Sequence, residues 1–212
     1  MIIDIFQDNV CPWCRIGKAN LFQALRKREG EPVEIRWRAF MLDPTVPEGG
    51  LPYLKTMKNK FGEQFSPEAI FGRVVEAGKA SGVHFDFDKV GKMPNTRLSH
   101  RLIAIAPGDK KTELVEAVNK AYFEEGRDIG SREELLSIAM ETGLDAAGLN
   151  DRLEQGEGEN EVEEDFATAK RIGISAVPFF IIGRKYALSG AQPPEAFLKV
   201  MKRIEEEQAA AK

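Results

Sequence analysis

Cysteine and histidine are scarce in this chain, two of each in 212 residues, and both cysteines fall in one short stretch, Val10-Cys11-Pro12-Trp13-Cys14-Arg15. Two thiols are too few for a disulfide-stapled scaffold. A zinc site is equally disfavoured, since beyond the cysteine pair only His84 and His100 remain as nitrogen donors, and they are not at finger spacing. No apolar run approaches the roughly 18 to 20 residues that cross a bilayer. No basic start followed by an apolar stretch and a small-residue cleavage site opens the chain either. Positive charge is not in excess: 30 Lys and Arg face 34 Asp and Glu, for a net charge of -4. A phosphate-backbone partner needs clustered cations, so nucleic acid is not expected, and neither is a membrane. The expected location is the cytoplasm.

What is present fits one globular α/β unit, with 42% hydrophobic and 30% charged residues. Ile2-Ile3-Asp4-Ile5-Phe6 is apolar on both faces apart from Asp4, as in a strand inside a sheet. Pro12 to Glu29 reads as a helix in which Cys14, Gly17, Leu21 and Leu25 recur at spacings of three and four. Val33 to Ala39 alternates strictly, the pattern of a half-covered strand near a sheet edge. After the Pro and Gly punctuation of residues 44 to 52, helical signals run to about Gly173. They cover Leu51 to Phe61, Pro67 to Ser81, Thr96 to Ala106, Thr112 to Glu125, Ser131 to Thr142, Asp145 to Glu154 and Asn160 to Ile172. The acidic stretch Glu154 to Asp165 reads as a solvated loop and helix start. Phe179 to Gly183 and Lys185 to Leu188 follow as two short strands, and Pro193-Pro194 opens a last helix, Glu195 to Glu207, whose tail is expected to fray. The order predicts a four-stranded mixed sheet in a core of residues 1–45 and 174–212. An all-helical insertion, residues 46–173, separates the second core strand from the third.

The cysteine pair has three possible uses: redox chemistry, part of a metal site, or inert packing. Its position favours the first. Pro12 suits the first helical position, which puts Cys11 at the N-cap, where free N–H groups and the helix dipole stabilise a thiolate. Cys14 falls one turn later on the apolar face. Cys11 is thus the expected exposed attacking thiol and Cys14 the shielded resolving one. Arg15 and Lys18 would add positive charge if they turned toward the sulfur, and Trp13, at the helix start, is expected to meet substrate.

Together with Gly173-Ile174-Ser175-Ala176-Val177-Pro178-Phe179-Phe180, with Asn95 to Arg101, Ala121 to Ile129 and Leu188 to Gln192, the Cys11-Pro12-Trp13-Cys14 motif resembles the DsbA-like branch of the thioredoxin superfamily, and within it the FrnE-like group. The resemblance covers nearly the whole chain. It implies a thioredoxin-like fold with a helical insertion and thiol-disulfide oxidoreductase activity through a mixed disulfide. Cys11 would be the nucleophile, Cys14 the resolver and Pro178 a cis proline beside the pair. Pro12, Trp13, Val177 and Pro178 would form the substrate-binding surface, with the Val177 backbone open to an extended segment. No dissociable cofactor or metal is implied. The partners would be protein or small-molecule thiols and disulfides, glutathione among them. His100 and Asn95 match a family segment and are expected to make buried hydrogen bonds. The alternative from the same branch is a glutathione-dependent isomerase of the 2-hydroxychromene-2-carboxylate isomerase or kappa-class glutathione transferase type, in which serine usually stands where Cys11 does. A thioredoxin-fold binding or chaperone module is a third possibility.

Overall fold

The computed structural model describes residues 1–62 and 66–210. The elements run β1 (Ile2–Gln7), α1 (Pro12–Lys27), β2 (Glu34–Ala39), β3 (Leu51–Pro52), α2 (Tyr53–Phe61), α3 (Pro67–Ala80), β4 (Lys92–Met93), α4 (Arg97–Ile105), α5 (Lys111–Phe123), α6 (Arg132–Glu141), α7 (Ala146–Glu154), α8 (Glu159–Arg171), β5 (Phe179–Ile182), β6 (Tyr186–Ser189) and α9 (Pro194–Ala210).

Four strands form one sheet in the order β2-β1-β5-β6. β1 pairs in parallel with β2, from Ile2 opposite Glu34 to Gln7 opposite Ala39, and antiparallel with β5, from Ile3 opposite Ile182 to Phe6 opposite Phe179. A parallel pair needs a crossover, and α1 supplies it. The central place of β1 explains its apolar faces. Ile3 and Ile5 join Leu21, Ala24, Phe180, Ile182, Phe197, Met201 and Ile204 in a core between the sheet and helices α1 and α9. Phe6 points the other way, into a small cluster with Cys11, Cys14, Ala169, Ile174 and Val177. The alternating β2 lies at the sheet edge, as its pattern implies. Between β5 and β6 the chain turns through Gly183 and Arg184, both at positive φ (61° and 58°), the backbone that twist-matched hairpin turns require.

A larger core gathers Val74, Phe85, Leu102, Leu114, Val118, Tyr122 and Leu135 from the segment between β2 and β5, and Ile16 of α1 joins it. Every helix expected from the sequence is present, with ends moved by no more than two residues except at the end of the last one. One element departs from an all-helical insertion: β3 pairs antiparallel with β4, Leu51 opposite Met93 and Pro52 opposite Lys92, so α2 starts at Tyr53. Two-residue strands show no alternation, which is why none is legible. The last helix runs to Ala210, and Glu207 in it accepts hydrogen bonds from Lys185 Nζ at 2.6 Å and Tyr186 Oη at 2.5 Å, which tie it to the β5–β6 hairpin; the end of the tail expected to fray, residues 211–212, lies outside the described residues.

Candidate active site

The pair forms where β1 ends and α1 begins. Cys11 is the N-cap of α1 in extended conformation (φ -91°, ψ 110°), with Pro12 at the first helical position. Its backbone N–H donates to the Asp8 carbonyl at 3.0 Å, which fixes the turn leading into the helix. The Cys11 sulfur accepts from the Cys14 N–H at 3.3 Å and, as a thiol, donates to the Val177 carbonyl at 3.7 Å. No acidic side chain occupies the first turn of α1, so within the helix a negative charge on Cys11 would meet helix-end N–H groups. Both cysteines are free thiols. Burial pushes the Cys14 thiol well above its ordinary value, and its hydrogen bond with Cys11 and the charge of Cys11 push in the same direction.

Val177 is brought to Cys11 by the segment entering β5. The Val177–Pro178 peptide is cis. Pro178 lies against α1 at Gly17, where an added Cβ would come within 2.9 Å of Pro178 Cγ, 3.2 Å of Phe180 Cζ and 3.3 Å of Ala191 Cα. A side chain at 17 would hold Pro178 off the helix.

Cys11 is not the exposed thiol the sequence suggested. Both cysteines are 3% exposed, because α8 and the segment entering β5 cover them through Ala169, Ile174 and Val177. The two differ in what they face. Cys11 lines a cleft of about 240 Å³, whereas Cys14 does not. Trp13, 42% exposed, stands at the same cleft. The opposite wall belongs to the insertion: Tyr53, Phe71 and Phe87 line it as an aromatic stack, with centroids 5.7 and 4.6 Å apart, beside Met57 and Val74. Sequence reasoning missed this wall entirely. Burial holds the Tyr53 phenol above its ordinary value, so it faces the cleft as a neutral group.

Arg15 and Lys18 do not turn toward the sulfurs to stand as free charge. Arg15 donates to the His84 carbonyl at 2.7 Å, to Glu116 at 3.0 Å and to Glu124 at 2.5 Å. Lys18 donates to Asn119 Oδ1 at 2.8 Å and pairs with Glu116. These bonds fasten α1 to α5. Beneath the pair runs a buried polar chain: Gln7 Nε2 donates to Asn9 Oδ1 at 3.0 Å, Asn9 Nδ2 to Ser99 Oγ at 2.8 Å, and Ser99 Oγ to the Thr96 carbonyl at 2.8 Å. His100 and Asn95 take hydrogen-bonding places, His100 Nε2 on the Phe40 carbonyl at 3.1 Å and Asn95 Nδ2 on the Val46 carbonyl at 2.7 Å. His84 is exposed, and among the described residues no group of three His, Cys, Asp or Glu gathers in a metal-binding arrangement.

The model of the DSBA-like thioredoxin domain matches this chain over residues 2–202. The chain belongs to that family. The uncharacterized protein YwbO of Bacillus subtilis is 30% identical over 201 residues, which are 94% of each chain. The crystal structure of a probable DsbA oxidoreductase from Streptomyces coelicolor matches with a TM-score of 0.88 at 30% identity, over 98% of this chain and 91% of that one. The cytosolic disulfide reductase DsbM from Pseudomonas aeruginosa, in a structure with GSH, shares the fold at 19% identity, with a TM-score of 0.65 over 96% of this chain and 100% of that one. As in the DSBA-like fold generally, the helical block interrupts a thioredoxin-type sheet, and membership supports thiol oxidoreductase chemistry as the general activity. Among the described residues no helix is long and apolar enough to cross a membrane.

Proposed function

We propose that this protein is a thiol-disulfide oxidoreductase in which Cys11 attacks a substrate disulfide and Cys14 resolves the mixed disulfide. The observation that carries the reading is the inequality of the two sulfurs: Cys11 opens onto the cleft at a helix N-cap, and Cys14 lies one turn behind it, away from the cleft. The Cys14 N–H at 3.3 Å and the N-terminus of α1 supply the stabilisation a Cys11 thiolate needs. Pro12, Trp13, Val177 and Pro178 bind the substrate, with an extended segment laid along the Val177 backbone. Protein and small-molecule thiols or disulfides, glutathione included, are the partners, the exchange needs no cofactor, and the compartment is the cytoplasm. Within the family we place the chain in the FrnE-like group, on the Asn95 to Arg101 and Leu188 to Gln192 segments.

Insulin reduction in the presence of dithiothreitol tests the reading. Wild type should accelerate precipitation, and Cys11→Ser should abolish the acceleration. Cys14→Ala should accumulate protein trapped through Cys11. A Cys11→Ser protein matching wild type would remove Cys11 as nucleophile. The glutathione-dependent isomerase reading draws on the aromatic wall of the cleft. It requires turnover of an aromatic carboxylate with glutathione that survives loss of Cys14.

A further inference from the structure

Helix α2 forms part of the cleft wall, and its charge runs against that of the protein. It carries Lys55, Lys58 and Lys60, and no Asp or Glu occurs from Gly49 to Gly62, in a chain of net charge -4. Lys79 on α3 and Lys202 on α9 each stand against a glutamate one turn away, Glu76 at 2.7 Å and Glu206 at 3.8 Å. Among the described residues no carboxylate pairs with the three lysines of α2. The helix itself gives no reason for the whole set. Lys58 and Lys60 in its last turn meet the negative end of the helix dipole, but Lys55 sits in the first turn, where a cation is disfavoured.

The helical period divides α2 into two faces. Tyr53, Thr56, Met57 and Lys60, at spacings of three and four, line the cleft together with Cys11 and Trp13. Leu54, Lys55 and Lys58 lie outside it and are exposed, Leu54 to 56%. Two acids line the cleft. Asp8 is buried. Asp43 is held below the usual carboxylate range by hydrogen bonds from Thr45, with the Lys60 charge pulling the same way. Lys60 thus has a partial counterweight across the cleft, whereas Lys55 and Lys58 face solvent.

We propose that α2 is a docking helix for the polypeptide that carries the substrate disulfide, and that the segment it takes is acidic, with carboxylates spaced along an apolar stretch. The proposal deepens the oxidoreductase reading and rests on it. A small disulfide held at Cys11 fills the cleft and meets Lys60 but not the outer pair. Reaching Lys55 and Lys58 requires a chain that leaves the cleft and crosses α2, so the two outer lysines select a polypeptide over a small thiol. Apolar side chains of such a segment meet the aromatic wall inside the cleft and Leu54 outside it, and its carboxylates meet the ammonium groups. The protein as a whole is negative and repels an acidic chain, so attraction to this local basic helix steers the segment toward Cys11.

Peptides of equal length test the surface. Each has two cysteines joined in a disulfide and one phenylalanine, and they differ only in carrying glutamate, glutamine or lysine at the flanking positions. With dithiothreitol as reductant, kcat/KM should fall by about tenfold from the glutamate to the lysine peptide at low salt, as two or three exposed ion pairs supply. The preference should shrink in about 1 M salt. Lys55→Glu with Lys58→Glu should reverse the order, and Lys55→Gln with Lys58→Gln should level it. Each rate is divided by that for uncharged bis(hydroxyethyl) disulfide, so a general loss of activity cancels. A wild type that does not prefer the glutamate peptide overturns the proposal, as do ratios that the substitutions leave unchanged. A ratio for glutathione disulfide that changes as much as that of the glutamate peptide also overturns it, since recognition would then end at the cleft. Anisotropy of labelled peptides with serine in place of cysteine repeats the comparison without chemistry. Tighter binding of the glutamate peptide to wild type, lost in both double variants, sustains the docking helix even where no disulfide turns over, and then only the oxidoreductase reading falls. Binding to phosphatidylserine vesicles that the variants lose, with no preference among peptides, overturns the proposal in favour of a membrane surface.

Discussion

Adding one methyl group to α1 and one to α3 should have opposite effects, and the difference can be worked from the backbone. Gly17 and Gly72 are both helical glycines, so replacing either with alanine gains about 1 kcal/mol of helix propensity. At Gly72 an added Cβ meets nothing within 4 Å, so the gain stands. At Gly17 the Cβ meets Pro178 Cγ at 2.9 Å, Phe180 Cζ at 3.2 Å and Ala191 Cα at 3.3 Å. A proline ring, a core aromatic and a backbone carbon are not flexible side-chain ends, so the overpacking cost belongs near the upper end of the usual range, about 3 kcal/mol. The net for Gly17→Ala is a loss of about 2 kcal/mol, which for a chain of this size lowers the melting temperature by roughly 4 to 8 °C. Gly72→Ala should raise it by roughly 2 to 4 °C. Because the displaced atom is Pro178, Gly17→Ala should also slow thiol exchange, whereas Gly72→Ala should not. Thermal denaturation and the insulin assay on both variants decide the matter. A Gly17→Ala protein that melts at or above wild type would show that Pro178 and Phe180 yield freely and refute the close-approach reasoning.

Leu21→Ala, which removes a fully buried side chain from the core between the sheet and α1, should cost about 3 kcal/mol by chemical denaturation. The Glu116 carboxyl is pulled up by burial, but the charge and hydrogen bond of Lys18 and then those of Arg15 outweigh this and leave its pKa lowered. Its folded pKa lies below the unfolded one, so the stability it contributes is present above the ordinary carboxylate value and lost as pH falls through the folded one. Glu116→Gln should therefore cost about 1 kcal/mol at neutral pH, discounted for a side chain 52% exposed. Denaturation from neutral to acidic pH should show a shallower loss in the variant, and an equal slope would contradict the assigned pairing.

The fold was legible where periodicity and punctuation carry information. Ile2 to Phe6 reads as a central strand because both its faces are buried, and the alternation of Val33 to Ala39 places that strand at an edge. Capping marks such as Ser66 before Pro67 locate helices to within a residue. The cysteine pair was legible because Pro12 after Cys11 indicates an N-cap. The environment of the pair was not. The aromatic wall is drawn from Tyr53, Phe71 and Phe87, which in sequence are ordinary core residues of separate segments. The burial of Cys11 depends on Ala169, Ile174 and Val177 arriving from the far end of the chain. Asp8 and His100 are single polar residues with no motif between them, and only the fold brings their side chains to 3.6 Å.

The place of β1 between β2 and β5 bears on how the protein is made. The Val177 carbonyl that contacts Cys11 lies 166 residues further along the chain. At about 5 to 20 residues per second of synthesis, roughly 10 to 30 seconds separate the appearance of the two. Once β2 has paired, β1 keeps one open edge until β5 appears, and throughout the interval the thiols lack Val177 and Ile174 above them. The nascent protein therefore passes through a stage in which its cysteines are open to every oxidant and thiol nearby, and its own last strands end that exposure.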